Sequence, residues 1–230
     1  MSTIVKSDQE KYRDIIVKKP WGHEYLIYEN ENLGIWFLHI EEDKKTSMHC
    51  HPKKNTGLIR LDGSAEVSFL KNKISLKGVD KIMIFRGRFH STQAHSPGGA
   101  YILEVECPQD KHDLVRLEDD YGRESKPYEG NEHESLKTSE SLWINDPVST
   151  EGENFNFCKC DFSIKHIQHV EELHKRPYDE VSVVLRGGLC TPSGDVIVQT
   201  GDVIAGHTLN FLSTKFLLSK NTTLLSINRA

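Results

Sequence analysis

The sequence predicts an all-β protein built from two similar barrels, with one minor helix. Three observations support this prediction. Many short apolar segments are separated by turn residues, a polar segment divides the chain near its middle, and the same order of features appears on both sides of that segment. Many short strands at such spacing are typical of a sandwich or a barrel, and not of a βαβ fold.

The predicted strands are rich in β-branched and aromatic residues, with Gly, Pro, Asp or Asn clustered between them. Examples are GIWFLHIEE, GLIRL, AEVSFL, KIMIF, AYILEVE, EVSVVLRGG and TKFLLS. One segment near the start, residues 8–16 (DQEKYRDII), has the composition of a short helix. The chain is therefore expected to be almost entirely β-structure.

The repeated order predicts the domain boundaries. The first half reads TSMHCH, GLIRLDG and IMIFRGRFH, and the second half reads EELHKRPYDEVSVVLRGG and GDVIAGHTLNF. Residues 125–141 between them are polar and poor in large apolar side chains, which is typical of a linker. We expect one unit over residues 1–124 and a second over 142–230.

Composition excludes several classes of partner. The 230 residues carry a net charge of −5 and are 37% hydrophobic and 27% charged, as in ordinary globular proteins. An acidic balance gives no reason to expect nucleic acid or an acidic membrane as partner. No apolar run approaches the roughly 20 residues of a membrane-spanning helix, and charges interrupt the N-terminal segment where a signal peptide has its apolar core. The sequence therefore predicts a cytoplasmic protein.

Five cysteines do not indicate a disulfide framework in a chain of this size. Cys158 and Cys160 lie in NFNFCKCDFSIK, which alternates like a strand. We expect both to be ordinary strand residues whose thiols share one face.

The strongest chemical signal is a histidine pair, His49 and His51, in SMHCH. Alternate residues of a strand face the same side, so both imidazoles point to one place inside a barrel. His90 follows a Gly-containing turn about forty residues later and can supply a third nitrogen. Three neutral imidazoles can bind Zn, Fe, Mn or Ni and leave coordination positions open. His95, in the turn AHSPGG, is interpreted as a loop residue and not a fourth ligand.

Basic and acidic residues near these histidines are the candidates for substrate chemistry. Lys53, Arg86 and Arg88 are predicted to bind a phosphate or carboxylate at the barrel mouth, although a solvated basic surface explains them equally well. Glu104, on a predicted barrel strand, is the candidate general base, and Lys54 is a weaker one.

These residues resemble the cupin motifs G(X)5HXH(X)3–4E(X)6G and G(X)5PXG(X)2H(X)3N. His49, His51 and Gly63 match the first motif, and Gly87 and His90 match the second. The resemblance implies that the three histidines are metal ligands inside a double-stranded β-helix, or jelly-roll, barrel. Cupins also often form dimers through exposed strands, and the sequence leaves the oligomeric state open.

The sequence departs from these motifs at positions that affect the metal ligands and therefore the reaction. The position of the motif glutamate falls on Thr56, while Phe85 and Ala94 stand where proline and asparagine are usual. Thr56 is a poor metal ligand, so the resemblance implies a site with three histidines and without the fourth protein ligand.

A narrower resemblance covers residues 17–124. KKPWGHEYLI and DKHDLVRLEDDYGRE are similar to the opening and closing segments of the cupin domain in type II mannose-6-phosphate isomerases. The second half is similar to a degenerate cupin: Glu180 and Gly187 keep one spacing, but His174-Lys175-Arg176 replaces the HXH motif. Together the two halves imply a bicupin whose second barrel binds no metal.

The resemblance leaves three functions open. The first is a metal-dependent isomerase or epimerase acting on an anionic sugar derivative, a sugar phosphate or nucleotide-linked sugar, in carbohydrate or surface-polysaccharide metabolism. The second is a three-histidine Fe(II) dioxygenase, and the third is a non-catalytic sugar-binding or assembly protein. We rank the isomerase first, because the segments at both ends of residues 17–124 resemble those of the sugar-related branch.

Overall fold

The computed structural model describes residues 12–128, 133–135, 142–147 and 152–230. Within them the protein is almost entirely antiparallel β-structure, which confirms the predicted all-β class. No helix in these ranges is long and apolar enough to cross a membrane.

Twelve strands form the first set of sheets. They are β1 (Ile15–Lys19), β2 (Gly22–Glu29), β3 (Gly34–Ile40), β4 (Met48–Cys50), β5 (Asn55–Asp62), β6 (Ala65–Phe69), β7 (Lys73–Leu76), β8 (Asp80–Ile84), β9 (His90–Ala94), β10 (Ala100–Cys107), β11 (Val115–Glu118) and β12 (His133–Ser135).

These strands form a seven-stranded sheet in the order β12-β1-β2-β3-β10-β5-β8 and a five-stranded sheet in the order β11-β4-β9-β6-β7. The eight strands β3 to β10 therefore divide as β3-β10-β5-β8 and β4-β9-β6-β7, which is the order of a jelly roll. Apolar side chains from both sheets fill the space between them, among them Trp36, Leu38, Leu58, Val67 and Ile102.

Eight strands form the second set of sheets. They are β13 (Glu153–Phe157), β14 (Cys160–His166), β15 (Val181–Arg186), β16 (Leu189–Cys190), β17 (Val196–Val198), β18 (Val203–Ala205), β19 (Leu217–Leu218) and β20 (Thr223–Arg229). A single 3-10 turn (Val170–Leu173) and the helix α1 (Gly206–Ser213) complete this part of the chain.

The second set repeats the jelly-roll order of β3 to β10 but has no counterpart of β4 among its described residues. Its sheets have the orders β13-β14-β20-β15-β18 and β17-β16-β19. The 3-10 turn lies between β14 and β15, where the first set has β4 between β3 and β5. The segment GDVIAGHTLNF, which is part of the repeated order in the sequence, forms the short β18 and then α1.

The two sets pack back to back through their larger sheets. The outer faces of β2, β3, β5 and β10 meet those of β14, β15 and β20 in one apolar cluster. Members from the first set include Phe37, Ile59 and Leu103, and those from the second include Phe162 and Val183. The largest sheet is thus buried on both faces: one face lines the first barrel and the other contacts the second set.

The structure corrects the predicted helix over residues 8–16. Residues 12–14 form a turn and β1 begins at Ile15, while residues 8–11 lie outside the described ranges. Pairing of β1 with β2 places Val17 in the barrel core, so tertiary packing decides the conformation here.

The strand predicted across Cys158 and Cys160 is also wrong. Cys158 and Lys159 have φ of 48° and 59° and form the two-residue turn of the β13–β14 hairpin. Two successive positive φ values are typical of a type I′ turn, which suits the twist of a hairpin. Cys158 is therefore a turn residue, and only Cys160 lies in a strand.

The predicted linker, residues 125–141, contributes to the first set where it is described. β12 pairs with β1, with Ser135 opposite Ile15, and Tyr128 contacts the edge of Tyr12 at 5.7 Å between ring centroids. Residues 129–132 and 136–141 lie outside the described ranges.

Phe162→Ala tests the layer between the two sets. Phe162 is 1% exposed, so its truncation is expected to lower the free energy of unfolding by about 3–5 kcal/mol. Chemical denaturation measures this change. Phe211→Ala, on α1 and 63% exposed, is the control and should change stability by about 0.5 kcal/mol or less. Equal effects of the two variants would contradict this account of the layer.

Candidate functional site

The structure brings His49, His51 and His90 together inside the first barrel. His49 on β4 lies directly opposite His90 on β9, and His51 follows the end of β4. Ring centroids are separated by 4.4 Å for His49 and His90, 4.9 Å for His49 and His51, and 5.6 Å for His51 and His90. One ring nitrogen from each lies within 4.8 Å of the other two. The jelly-roll order thus assembles the group expected from the HXH spacing.

Backbone carbonyls orient all three rings. The Nδ1 atoms lie 2.7 Å from the Ser47 oxygen for His49, 2.6 Å from the Asp113 oxygen for His51 and 3.0 Å from the Arg88 oxygen for His90. Because a carbonyl only accepts hydrogen bonds, each Nδ1 carries the proton and each Nε2 keeps its lone pair. This pattern is usual for metal-binding histidines.

Burial keeps these imidazoles neutral. It lowers the pKa of His51 far below the ordinary value and that of His90 to about 4. It also lowers the pKa of His49, and the neighbouring His90 adds to the effect. Lys54 disfavours protonation of all three rings. A metal ion can therefore bind without first displacing protons from the rings.

The arrangement fits a divalent transition metal. The Nε2 atom of His51 is buried without any hydrogen-bond partner in the described structure, and such an atom is costly unless something binds it. Among the described residues, the three histidines are the only cluster of His, Cys, Asp and Glu side chains close enough to share an ion. Three neutral nitrogens suit Zn, Fe or Ni.

Thr56, at the motif-glutamate position, is not part of this group. It lies on β5 opposite Glu106 and is fully buried, and its hydroxyl has no partner in the described structure. The candidate ligand set is therefore three histidines.

A chain of alternating charges lies in the same cavity. Lys54 Nζ is 2.7 Å from Glu106 Oε1, and Lys111 Nζ is 3.1 Å from the same atom. Lys111 also lies 3.3 Å from Glu24 Oε1, which is 3.9 Å from Lys19 Nζ. None of the five side chains is more than 6% exposed. Three cations thus enclose two carboxylates.

The pKa shifts in this chain follow from its pairing. Burial opposes ionisation of Glu24, but Lys111 and Lys19 lower its pKa to about 2. Burial likewise disfavours the charged form of Lys111, while Glu106 and Glu24 raise its pKa above the ordinary value. Both groups therefore remain charged at neutral pH.

Glu104 differs from the other buried carboxylates. It lies on β10 opposite Trp36 and Leu58, points into the cavity, and makes no hydrogen bond within the described residues. Burial, reinforced by the negative charge of Glu106, raises its pKa to about 7, although Lys111 opposes the shift. Near neutral pH this carboxyl can both accept and release a proton, as a general acid or base must.

The other predicted site residues are placed differently. Lys54 lines the cavity, but it is paired with Glu106 and with the Asp110 oxygen. Lys53, Arg86 and Arg88 are exposed and do not line the cavity. Their predicted role in substrate binding stays a prediction. His95 is exposed in its turn, as expected for a loop residue.

Several cavity residues were not predicted from the sequence, namely Lys19, Glu24, Lys111 and Tyr128. Lys19 and Glu24 lie in KKPWGHEYLI, and Lys111 lies in DKHDLVRLEDDYGRE. Both segments were used only as marks of family resemblance. The sequence did contain a signal for these residues. Charged side chains adjoin apolar ones in both segments, and charged residues are buried almost only when they are paired.

The corresponding interior of the second set holds an ion pair. Arg176 lies 2.9 Å from Glu180, which also accepts a hydrogen bond from Ser182, and Arg176 donates to Ser226. Ser226 faces Ser182 as Glu104 faces Leu58 in the first set. These paired side chains therefore lie in the second set where the first set has its cavity.

No protein-family model matches this sequence, and no curated protein matches it. Among solved structures, KdgF from Halomonas sp. is 15% identical, with 45% of this chain and 94% of that chain covered and a TM-score of 0.40. An uncharacterised conserved protein with a double-stranded beta-helix domain from Klebsiella pneumoniae is 17% identical, with 51% and 100% covered and a TM-score of 0.40. The capsular polysaccharide assembling protein CapF from Staphylococcus aureus is 12% identical, with 45% and 32% covered and a TM-score of 0.40.

Replacing the histidines tests the candidate metal centre. His51→Ala and His90→Ala are each expected to reduce the metal retained after dialysis by about tenfold or more, because two nitrogens remain. Elemental analysis of the purified variants measures this. His95→Ala is the matched control and should retain the wild-type content. A wild-type protein that takes up no divalent metal would contradict the assignment.

Glu104→Gln tests the burial of an ionisable carboxyl. A folded-state pKa of about 7, above the unfolded value, means that folding favours the protonated form. The Glu104 contribution to wild-type stability should therefore fall by roughly 3 kcal/mol as pH rises from about 4.5 to 8, and this fall appears as the difference between the wild type and the glutamine variant. The glutamine variant lacks this loss and should exceed the wild type in stability at pH 8. Denaturation curves at both pH values measure the difference, and parallel pH dependence in the two proteins would contradict the assignment.

Proposed function

We propose that the first barrel is a metal-dependent cupin enzyme that moves a proton between adjacent carbons of an anionic sugar derivative, as an isomerase or epimerase. The observation that carries the proposal is the combination, in one cavity, of three oriented histidine nitrogens and the Glu104 carboxyl, which makes no hydrogen bond to the described residues and whose pKa burial raises to about 7. Proton transfer next to a carbonyl needs both an electrophile and a base.

His49, His51 and His90 would hold the metal, which when bound polarises a carbonyl and its neighbouring hydroxyl. In isomerisation, Glu104 takes the proton from the carbon beside that carbonyl and, as a neutral acid, returns it to the former carbonyl carbon, while the hydroxyl proton passes from one enediol oxygen to the other. In epimerisation, Glu104 takes the proton from one face and water supplies a proton to the opposite face, after which Glu104 releases its proton to solvent. The carboxylate is restored at the end of each cycle. Glu106 forms ion pairs with two lysines, and its negative charge favours the protonated form of Glu104.

The sugar substrate is proposed from the resemblance of residues 17–124 to the isomerase-related cupins. The cavity walls are consistent with it, since apolar side chains such as Leu38, Leu58 and Trp21 alternate with charged ones. Sugar-binding sites commonly combine apolar walls with a few placed polar groups.

A three-histidine Fe(II) dioxygenase is the second candidate. Thr56 favours it, because the protein then supplies three neutral ligands and no carboxylate. Such an enzyme would not require Glu104 for its reaction, whereas the isomerase would, so replacing Glu104 distinguishes the two functions.

Solvent-proton exchange tests the isomerase proposal. The purified protein, reconstituted separately with Zn, Mn, Ni and Fe, is incubated in D₂O with sugar phosphates and nucleotide-linked sugars, and deuterium at carbon is followed by NMR. We expect exchange that rises with pH through about 7 and falls by about 100-fold or more in Glu104→Gln.

The control is Glu118→Gln, since Glu118 is exposed on β11 and should not affect exchange. If oxygen is consumed only by the Fe-reconstituted protein, and Glu104→Gln does not change this uptake, the dioxygenase would be favoured and the isomerase rejected. Sugar binding without exchange or oxygen uptake would indicate the non-catalytic alternative.

A further inference from the structure

His51 differs from the other two candidate ligands because it lies outside the strands. His49 is within β4, opposite Arg116 on β11 and His90 on β9. His51 follows the last residue of β4 and has no strand partner among the described residues. Strand pairing therefore fixes the main chain of two ligands, and loop contacts must fix the third.

One loop contact holds the main chain of His51 and not its ring. The Gly87 amide donates a hydrogen bond to the His51 main-chain oxygen at 2.7 Å. This bond leaves the imidazole free to rotate about its side-chain torsions, so the orientation of the ring requires a further contact.

Asp113 contacts this loop through two different groups. Its main-chain oxygen lies 2.6 Å from His51 Nδ1. Its carboxylate oxygen Oδ2 accepts hydrogen bonds from the amides of Lys53 and Lys54, each at 2.9 Å. Asp113 is 5% exposed, so water competes little for these bonds, and a carboxylate is a stronger acceptor than a neutral oxygen.

These three bonds join residues 51–54 to Asp113 in a closed arrangement. Val115 lies opposite Cys50 at the end of the β4–β11 pair, which brings Asp113 alongside the residues that follow β4. The carboxylate holds the main chain of those residues, and the carbonyl of the same residue receives the His51 Nδ1 proton. The ring is thus oriented by a group whose own position the carboxylate fixes, and Nε2 is left for a metal.

The same loop positions Lys54, three residues after His51. The Lys54 amide donates to Asp113, while its ammonium lies 3.0 Å from the Asp110 main-chain oxygen and 2.7 Å from Glu106. A displacement of this loop would therefore move a candidate metal ligand together with a cation that pairs with a cavity carboxylate.

We propose that Asp113 is a positioning residue of the metal centre, and that its carboxylate acts by holding the loop in which His51 directs Nε2 toward the metal. Asp113 does not belong to the group of side chains that could share the ion, so it acts through His51. This inference rests on the proposed function only in taking His51 as a metal ligand.

Metal affinity tests the proposal without any substrate. The zinc affinity of the full chain is measured by competition with a chromophoric chelator, and thermal melting establishes that each variant folds. Asp113→Ala should weaken zinc binding by about tenfold or more. Asp113→Asn keeps an acceptor oxygen for the two amides and should recover most of the affinity. Asp120→Ala, which removes an exposed carboxylate paired with Lys45, is the control and should bind zinc as the wild type does. Wild-type affinity in Asp113→Ala would overturn the proposal.

Double variants distinguish positioning from general stabilisation of the barrel. If Asp113 acts through His51, Asp113→Ala should cause no further loss of zinc affinity in a His51→Ala background. In a His90→Ala background, where His51 is still present, the two losses should add. Equal additional losses in both backgrounds would show that Asp113 acts on the barrel as a whole and would overturn the proposal.

The tautomer of His51 supplies a readout that needs no metal. Ring nitrogen shifts of the metal-free protein, labelled with ¹⁵N-histidine, are recorded by NMR, and the His51 signals are those absent from His51→Ala. The wild type should show the Nδ1–H tautomer. Asp113→Ala should increase the fraction of the Nε2–H tautomer, and Asp113→Asn should increase it less. An unchanged tautomer in Asp113→Ala would contradict the positioning role.

The outcomes separate this proposal from the proposed reaction. A wild-type protein that binds no zinc would overturn both the positioning role and the metal centre. Failure of proton exchange in a protein that binds zinc would count against the isomerase alone.

Discussion

The alternation of side chains along β10 connects the candidate site to the packing of the whole protein. Ile102, Glu104 and Glu106 point into the first barrel, while Leu103 and Val105 belong to the apolar layer shared with the second set. A shift of one residue in the pairing of β10 with β3 or β5 would exchange these two sets. Glutamates would then enter the layer, and the cavity would lose its carboxylates. The apolar layer therefore fixes the register that places the acid–base candidate.

The cavity itself is an exception to ordinary core packing. Five charged side chains lie where most barrels bury apolar ones, and each is tolerated because its neighbour carries the opposite charge. Glu104 alone lacks such a neighbour within hydrogen-bonding distance in the described structure, and its carboxyl is the one whose ionisation is held near neutrality. Glu106 forms ion pairs with two lysines and Glu104 forms none within the described residues, so two carboxylates on one strand lie in different electrostatic environments. Such a division is characteristic of sites that perform proton transfer.

Much of this could be predicted from local patterns. The HXH spacing and the Gly-containing turn before His90 were sufficient for the histidine group, because strand alternation and barrel closure leave little freedom. The charged chain could not be predicted, since Lys19 and Lys111 are distant in sequence and only the sheet order brings them to the same carboxylate, Glu24. The predicted helix before Ile15 and the predicted strand at Cys158 failed for a related reason. Pairing between strands and the geometry of a hairpin turn outweighed the local composition.

Within the described residues the second set has no strand equivalent to β4, and this prevents it from acquiring a metal centre like that of the first set by substitution alone. Between His166 and Val181, all of which is described, the backbone forms a 3-10 turn and no strand that pairs as β4 does. In the first set β4 carries His49 and holds it opposite His90. Introducing a histidine at Arg176, to restore the HXH pattern with His174, would therefore change a side chain on a backbone that does not direct the two toward a common point. The two halves therefore differ in backbone conformation and not only in side chains. A second metal centre would require a new strand in the place of β4, and single substitutions would not create one.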